Sequence, residues 1–204
     1  MTNEPTFVSN RPAAERRTVS YIRMEDGTAE DYALLSELNA PFRAATADRV
    51  LAYLPLLRNS TEGDQVDRYV HSLQAASRAL RDGAEDELVV AALLHDIGDL
   101  LAPENHSEFA ASILQPYVSR TTHWIIEHHG IFQGYYYFHH TGKDRNAREQ
   151  FRGHPAFEKT AEFCAKWDQT AFDPNYDTLP LATFEPIVRR IFARAPWSAE
   201  GPSF

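Results

Sequence analysis

The stretch Leu88-Val89-Val90-Ala91-Ala92-Leu93-Leu94 is apolar on every side of a helix. A helix of that kind cannot lie on a surface and belongs in the middle of a bundle. Glu85-Asp86-Glu87 precede it and suit the positive end of its dipole. It ends with His95-Asp96-Ile97-Gly98. An unpaired carboxylate there is expensive to bury, so Asp96 must be compensated. Metal coordination and an internal His-Asp pair both compensate it, and the dipeptide alone leaves both open. Neighbouring residues on a helix point about 100° apart, so the imidazole can hold one metal while the two-oxygen carboxylate bridges to a second.

The segments around this run are also helical in pattern. Thr28 can cap a helix through Leu38, with Glu30 and Asp31 in its first turn. Pro41 is expected to begin a second helix, which Pro55 bends or ends. Residues 64–81 place Val66, Val70, Leu73 and Leu80 on one stripe with His71 beside it. Helical spacing recurs over 107–114, 119–129, 157–170 and 184–194, while 130–142 reads as an aromatic, glycine-punctuated loop or short helix. Weak alternation over 18–24 allows a short edge strand. Residues 1–17 read as a frayed leader, and Pro196 and Pro202 mark a tail. The expectation is an all-α bundle, with residues 1–40 as an N-terminal extension and 41–204 as the helical domain.

The charge balance is −9 with no long Lys/Arg block, which argues against nucleic acid as the main partner and against a basic membrane surface. No stretch approaches 18 consecutive apolar residues, and the first seventeen lack an apolar segment, so neither a membrane span nor export is signalled. The single cysteine, Cys164, fits a reducing, cytoplasmic setting. With no evident base partner, it reads as a packed small hydrophobe.

Nine histidines stand out. His71, His106, the pair His128-His129 and Asp168 each fall on a different helical segment from His95-Asp96. Singly, each can be a satisfied core residue; together they point to a metal centre. The contexts "YVHSLQAA", "VVAALLHDIGD", "NHSEFAASIL", "IIEHHGIFQGYY" and "AKWDQTAF" resemble the HD superfamily of metal-dependent enzymes over roughly residues 45–195. The resemblance implies an HD-domain helical bundle with a dinuclear site: His71, His95, Asp96 and Asp168 on one metal, and Asp96, His106 and His129 on the other. His129 is chosen because "IIEHH" lines up with the family's helix end and Gly130 follows; His128 is then a neighbour that supports the ligands.

Within the superfamily, the small size and Trp167-Asp168 look most like the mixed-valent di-iron oxygenases, the group of myo-inositol oxygenase and the phosphonate-cleaving enzymes. That likeness implies two iron ions, Fe(II)/Fe(III), with dioxygen and a small hydroxylated substrate as partners; the candidate catalytic residues of this chain are Asp96 and Asp99. His/carboxylate donors equally suit Mn, Ni or Zn, and the same ligands serve a phosphohydrolase, for which Lys143, Arg145 and Arg148 are candidate phosphate partners. A noncatalytic, metal-stabilised binding protein is the third reading.

Three positions depart from the phosphonate-cleaving relatives. Gln133 replaces a lysine, Ala165 an arginine and Asp99 a histidine; the tyrosine those enzymes place before the first histidine has no counterpart, with Thr61 and Asp64 there instead. An acidic Asp99 facing the pocket repels a dianion. Candidate substrate contacts are Asp64, Gln133, Tyr135, Tyr137, His139, Lys143 and Gln169. The aromatics among them suit a ring or a cationic head group, with core packing and a solvated charged face as the bland alternatives. The oligomeric state has no sequence signal.

Overall fold

The computed structural model describes residues 16–60 and 62–198. Thr61, most of the 1–17 leader and the end of the tail lie outside the described residues. Eight α-helices and no strand occur among the described residues, an all-α fold. The expected edge strand is therefore absent: residues 18–23 form bends and coil ahead of a 3-10 turn, Met24–Asp26. Two compact units divide between Ala52 and Tyr53.

In the first unit, α1 (Ala29–Ala44) opens on a capping box in which the Thr28 side chain and Asp31 exchange hydrogen bonds with each other's backbone N–H. Asp31 also accepts from the Ser20 N–H at 2.7 Å and from its hydroxyl at 3.0 Å. Those bonds tie the incoming chain to the helix start. Pro41 does not start a new helix; α1 runs through it, and the Ala45 N–H closes the last turn on the Pro41 carbonyl at 3.1 Å. Pro41 removes one ladder bond without breaking the turn. α2 (Thr46–Tyr53) follows, burying Val50 and Leu51.

The second unit opens with a 3-10 segment, Leu54–Asn59, where Pro55 cannot donate to an α ladder. α3 (Arg68–Arg81) is capped by Asp67, whose carboxylate accepts from the Val70 N–H at 2.7 Å. α4 (Asp86–Leu94) carries the apolar run, and Val89 through Leu94 are fully buried. α4 packs on α3, α6 and α8. The fully buried Ala75, Ala76 and Ala79 of α3 leave room for close approach. Burying Leu93 or Leu94 contributes about 2 kcal/mol each.

α5 (His106–Leu114) packs on α6 (Arg120–Tyr137). α6 is two turns longer than the sequence pattern suggests, because Gly130 and Gly134 lie inside it rather than ending it. An added Cβ at Gly130 would stand 2.8 Å from the Ser107 hydroxyl, so glycine here serves the approach of α5. α7 (Phe157–Phe163) gives way to a π turn, Cys164–Asp168, closed by the Gln169 N–H on the Cys164 carbonyl at 3.0 Å. The expected uninterrupted helix over 157–170 is thus replaced by α plus π. α8 (Leu181–Phe192) completes the unit with Pro186 inside it. Glu87 at the start of α4 joins three segments by accepting from the Ser119 N–H at 2.9 Å, the Thr122 hydroxyl at 3.0 Å and Arg194.

Candidate metal centre

Four histidines converge, and each is oriented by its own backbone anchor. His71 Nδ1 faces the Ala171 carbonyl at 3.1 Å, His95 Nδ1 that of Ala92 at 2.8 Å, His129 Nδ1 that of Ile126 at 2.7 Å and His106 Nδ1 that of Pro103 at 3.2 Å. A carbonyl only accepts, so each Nδ1 carries the proton and each neutral ring offers its Nε2 lone pair. This is the arrangement that holds metal-ligating histidines in one tautomer.

The Nε2 atoms meet on two carboxylates. His71 and His95 each lie 3.3 Å from Asp96 Oδ2, while His129 and His106 lie 3.3 and 3.5 Å from Asp96 Oδ1. Asp168 Oδ1 is 3.3 Å from His71 and 3.5 Å from His95. Asp96 therefore offers one oxygen to each pair of histidines. His71 and His95 bring their Nε2 atoms to 3.0 Å of each other, two lone pairs face to face unless a proton or a cation lies between them. Ligands held about 2.1 Å from a cation stand about 3.0–3.4 Å apart in octahedral or tetrahedral sets, the spacing found here. Asp168 Oδ2 is buried with no hydrogen-bond partner among the described residues. The donor set fits divalent cations, in three overlapping groups: His71, His95 and Asp168; His95, Asp96 and His129; Asp96, Asp99 and His106.

Protons occupy this cluster when a cation does not. Burial presses the His71 imidazolium down, but bonds to Asp168 and Asp96 outweigh it and raise the group to about 10. His95 is raised by the same two carboxylates against its burial. Burial pushes Asp96 and Asp168 up, and the surrounding histidines overcome it and hold both below the ordinary carboxylate range. Asp99 is the reverse case: burial and the neighbouring Asp96 charge raise it.

A cavity of about 450 Å³ opens beside the cluster. Asp64, Asp99, Gln133, Tyr137 and Gln169 are on its wall together with Asp96, Asp168, His106 and His129. The structure does not bring Tyr135, His139 or Lys143 to that wall. The Tyr135 ring is covered by the guanidinium groups of Arg148 and Arg145 at 3.8 and 4.3 Å. His139 is exposed against the His140 ring, and Lys143 is exposed over Phe138. His128 turns away from the carboxylates and stacks on Trp124 at 4.1 Å, its Nδ1 facing the Trp124 carbonyl. Cys164 is buried behind α6, its thiol donating to the His129 carbonyl, and burial pushes that thiol well above its ordinary value.

Sequence reading passed over Arg68 and Phe172, both on the cavity wall. Arg68 lies three residues before His71 and so on the same helical face, which was the available signal. Its Nε is 3.0 Å from Asp99, and its other nitrogens lie 3.6 Å from Asp96 and 3.5 Å from Asp64. Phe172 stacks on His71 at 4.3 Å. Two further devices position ligands. Trp167 donates to Asp82 at 2.8 Å and ties the π turn to the end of α3. Gly98 lets His106 approach, since an added Cβ would lie 2.8 Å from the His106 backbone.

The chain matches the HD domain over residues 68–169, half its length, and belongs to that family. HD domains bind divalent metal and are commonly metal-dependent enzymes. Comparison with curated proteins gives no match. No helix among the described residues is long and apolar enough to cross a membrane.

Proposed function

We propose that this HD protein is a di-iron oxygenase acting on a small, hydroxylated substrate that carries no strong negative charge. The observation that carries the reading is Asp96, whose two oxygens each face a separate pair of histidine Nε2 atoms, as a carboxylate bridging two cations requires. His71, His95, Asp96 and Asp168 would hold one iron, and Asp96, His106 and His129 the other. Two irons would supply the one-electron redox chemistry that dioxygen activation needs. The protein's own part is to place the substrate and exclude water: Tyr136, Tyr137 and Phe172 wall the cavity. Asp99, a carboxylate whose affinity for a proton is raised by burial and by Asp96, would take the proton of the substrate hydroxyl at its ionised oxygen. Asp64 and Asp99 bring two negative charges beside Arg68 as the one wall cation among the described residues, which disfavours a dianion.

Anaerobic loading with Fe(II) followed by partial oxidation tests this reading. The expected result is the paramagnetic resonance signal of an antiferromagnetically coupled Fe(II)/Fe(III) pair; two magnetically isolated irons, or one iron per chain, would overturn it. One observation favours the phosphohydrolase alternative: Arg68 reaches the same cavity as Asp96 and so supplies a cation for a phosphate oxygen. Arg145, Arg148 and Lys143, the phosphate partners expected from the sequence, are off that wall. Turnover of phosphate esters with Mn(II) or Ni(II), and none of alcohols with iron and dioxygen, would select that alternative.

A further inference from the structure

α6 continues two turns past His129, and the first of them places Gln133 on the same face, four residues on. Its Nε2 donates to Asp168 Oδ1 at 3.0 Å. This is the Asp168 oxygen that also faces His71 and His95. A carboxylate held ionised can only accept, so the orientation of the carboxamide is settled: nitrogen toward Asp168, oxygen away. That oxygen, Oε1, is buried and has no hydrogen-bond partner among the described residues. Among the described residues the Asp168 contact is therefore the sole hydrogen bond fixing the carboxamide, and it joins the helix that bears His129 to the π turn that bears Asp168.

We propose that Gln133 is a positioning residue of the metal centre. Its amide N–H orients Asp168 and so sets the affinity of the cation held by His71, His95, Asp96 and Asp168, while leaving the other cation unaffected. The inference rests on the dinuclear reading above, but not on iron or on oxidation chemistry. Asp168 arrives on a π turn and its second oxygen has no partner among the described residues, so apart from the histidines themselves Gln133 is the one side chain among the described residues that hydrogen-bonds this carboxylate. Partners that orient a metal-bound carboxylate commonly contribute 10–100-fold in metal affinity.

The experiment is a chelator-competition titration of the full chain with Zn(II), which is redox-inert. It compares the wild type with Gln133→Leu, which keeps the bulk without a donor, and Gln133→Asn, which keeps the donor one methylene too short to reach. The wild type is expected to bind two Zn(II). In both variants one of the two affinities falls about 10–100-fold, the other stays within twofold, and the helical circular dichroism of the metal-free protein is unchanged. If both affinities stay at the wild-type value, or both fall together, Gln133 does not act through Asp168. Should the leucine variant fail to fold, the asparagine variant decides by the same criteria. A wild type that binds one Zn(II) or none overturns the dinuclear reading itself, an outcome distinct from failure of the Gln133 assignment.

Discussion

Replacing Asp96 by asparagine probes the centre most directly, because this carboxylate alone touches both halves. The substitution keeps the shape and removes one charge and one acceptor oxygen. It also aims an NH₂ at one of the histidine pairs now 3.3–3.5 Å away. At an effective dielectric of about 20, a unit charge held about 2.1 Å from a carboxylate oxygen is attracted by about 8 kcal/mol, so loss of cation binding is expected to be complete in practice. In the wild type, metal at 100–1,000 times its dissociation constant stabilises the fold by about 2.7–4.1 kcal/mol per site. At about 2–4 °C per kcal/mol for a chain of this size, melting should rise by about 5–16 °C per site. Asp96→Asn should show no rise and no bound metal by elemental analysis, whereas Asp168→Asn should keep one metal and part of the rise. If Asp96→Asn retained one metal as Asp168→Asn does, the carboxylate would not be a bridge.

Gly98→Ala forces its new methyl to within 2.8 Å of the His106 backbone; displacement of that histidine should remove one metal per chain while the helical circular dichroism stays near wild type. Metal binding must displace the proton that His71 holds up to about 10 in the metal-free protein. Calorimetry at pH 7.5 in buffers of different ionisation heat should therefore report proton release, and affinity should climb as pH rises; no proton release would contradict the bonding described for His71. By the same linkage, the His71 contribution to metal-free stability is present below the ordinary histidine value of 6.5 and lost as pH rises through about 10. Asp31, held down to about 2 by the Ser20 and Thr28 N–H groups, works in the opposite sense. Its contribution to the N-terminal unit is present above 3.8 and lost as pH falls toward 2, and a carboxyl-carbon NMR titration with a midpoint near 3.8 would refute it. Glu87→Gln weakens three charge-assisted bonds, including the one from Arg194, and should cost about 2 kcal/mol, a melting decrease of about 4–8 °C.

Much of this molecule is written locally. The apolar run of α4, the Asp67 cap of α3 and the capping box of α1 depend on residues within a few positions of one another, so helix identity and the all-α class follow from periodicity. The His and Asp residues that now converge were visible for a related reason: polar groups set into or beside apolar stripes demand compensation, whatever the fold. Tertiary structure decided the rest. Glycine inside α6 looked like a stop, yet the close approach of α5 at Gly130 makes it a packing residue. The π turn before Asp168 has no local signature and is tied down by the Trp167–Asp82 bond to a helix far along the chain. Arg68 on the cavity wall and the bond from Gln133 to Asp168 likewise join segments distant in sequence. Local propensity selects which residues are helical, but the angle and register at which helices meet depend on burial summed over the whole core, and those alone determine which imidazoles share a carboxylate.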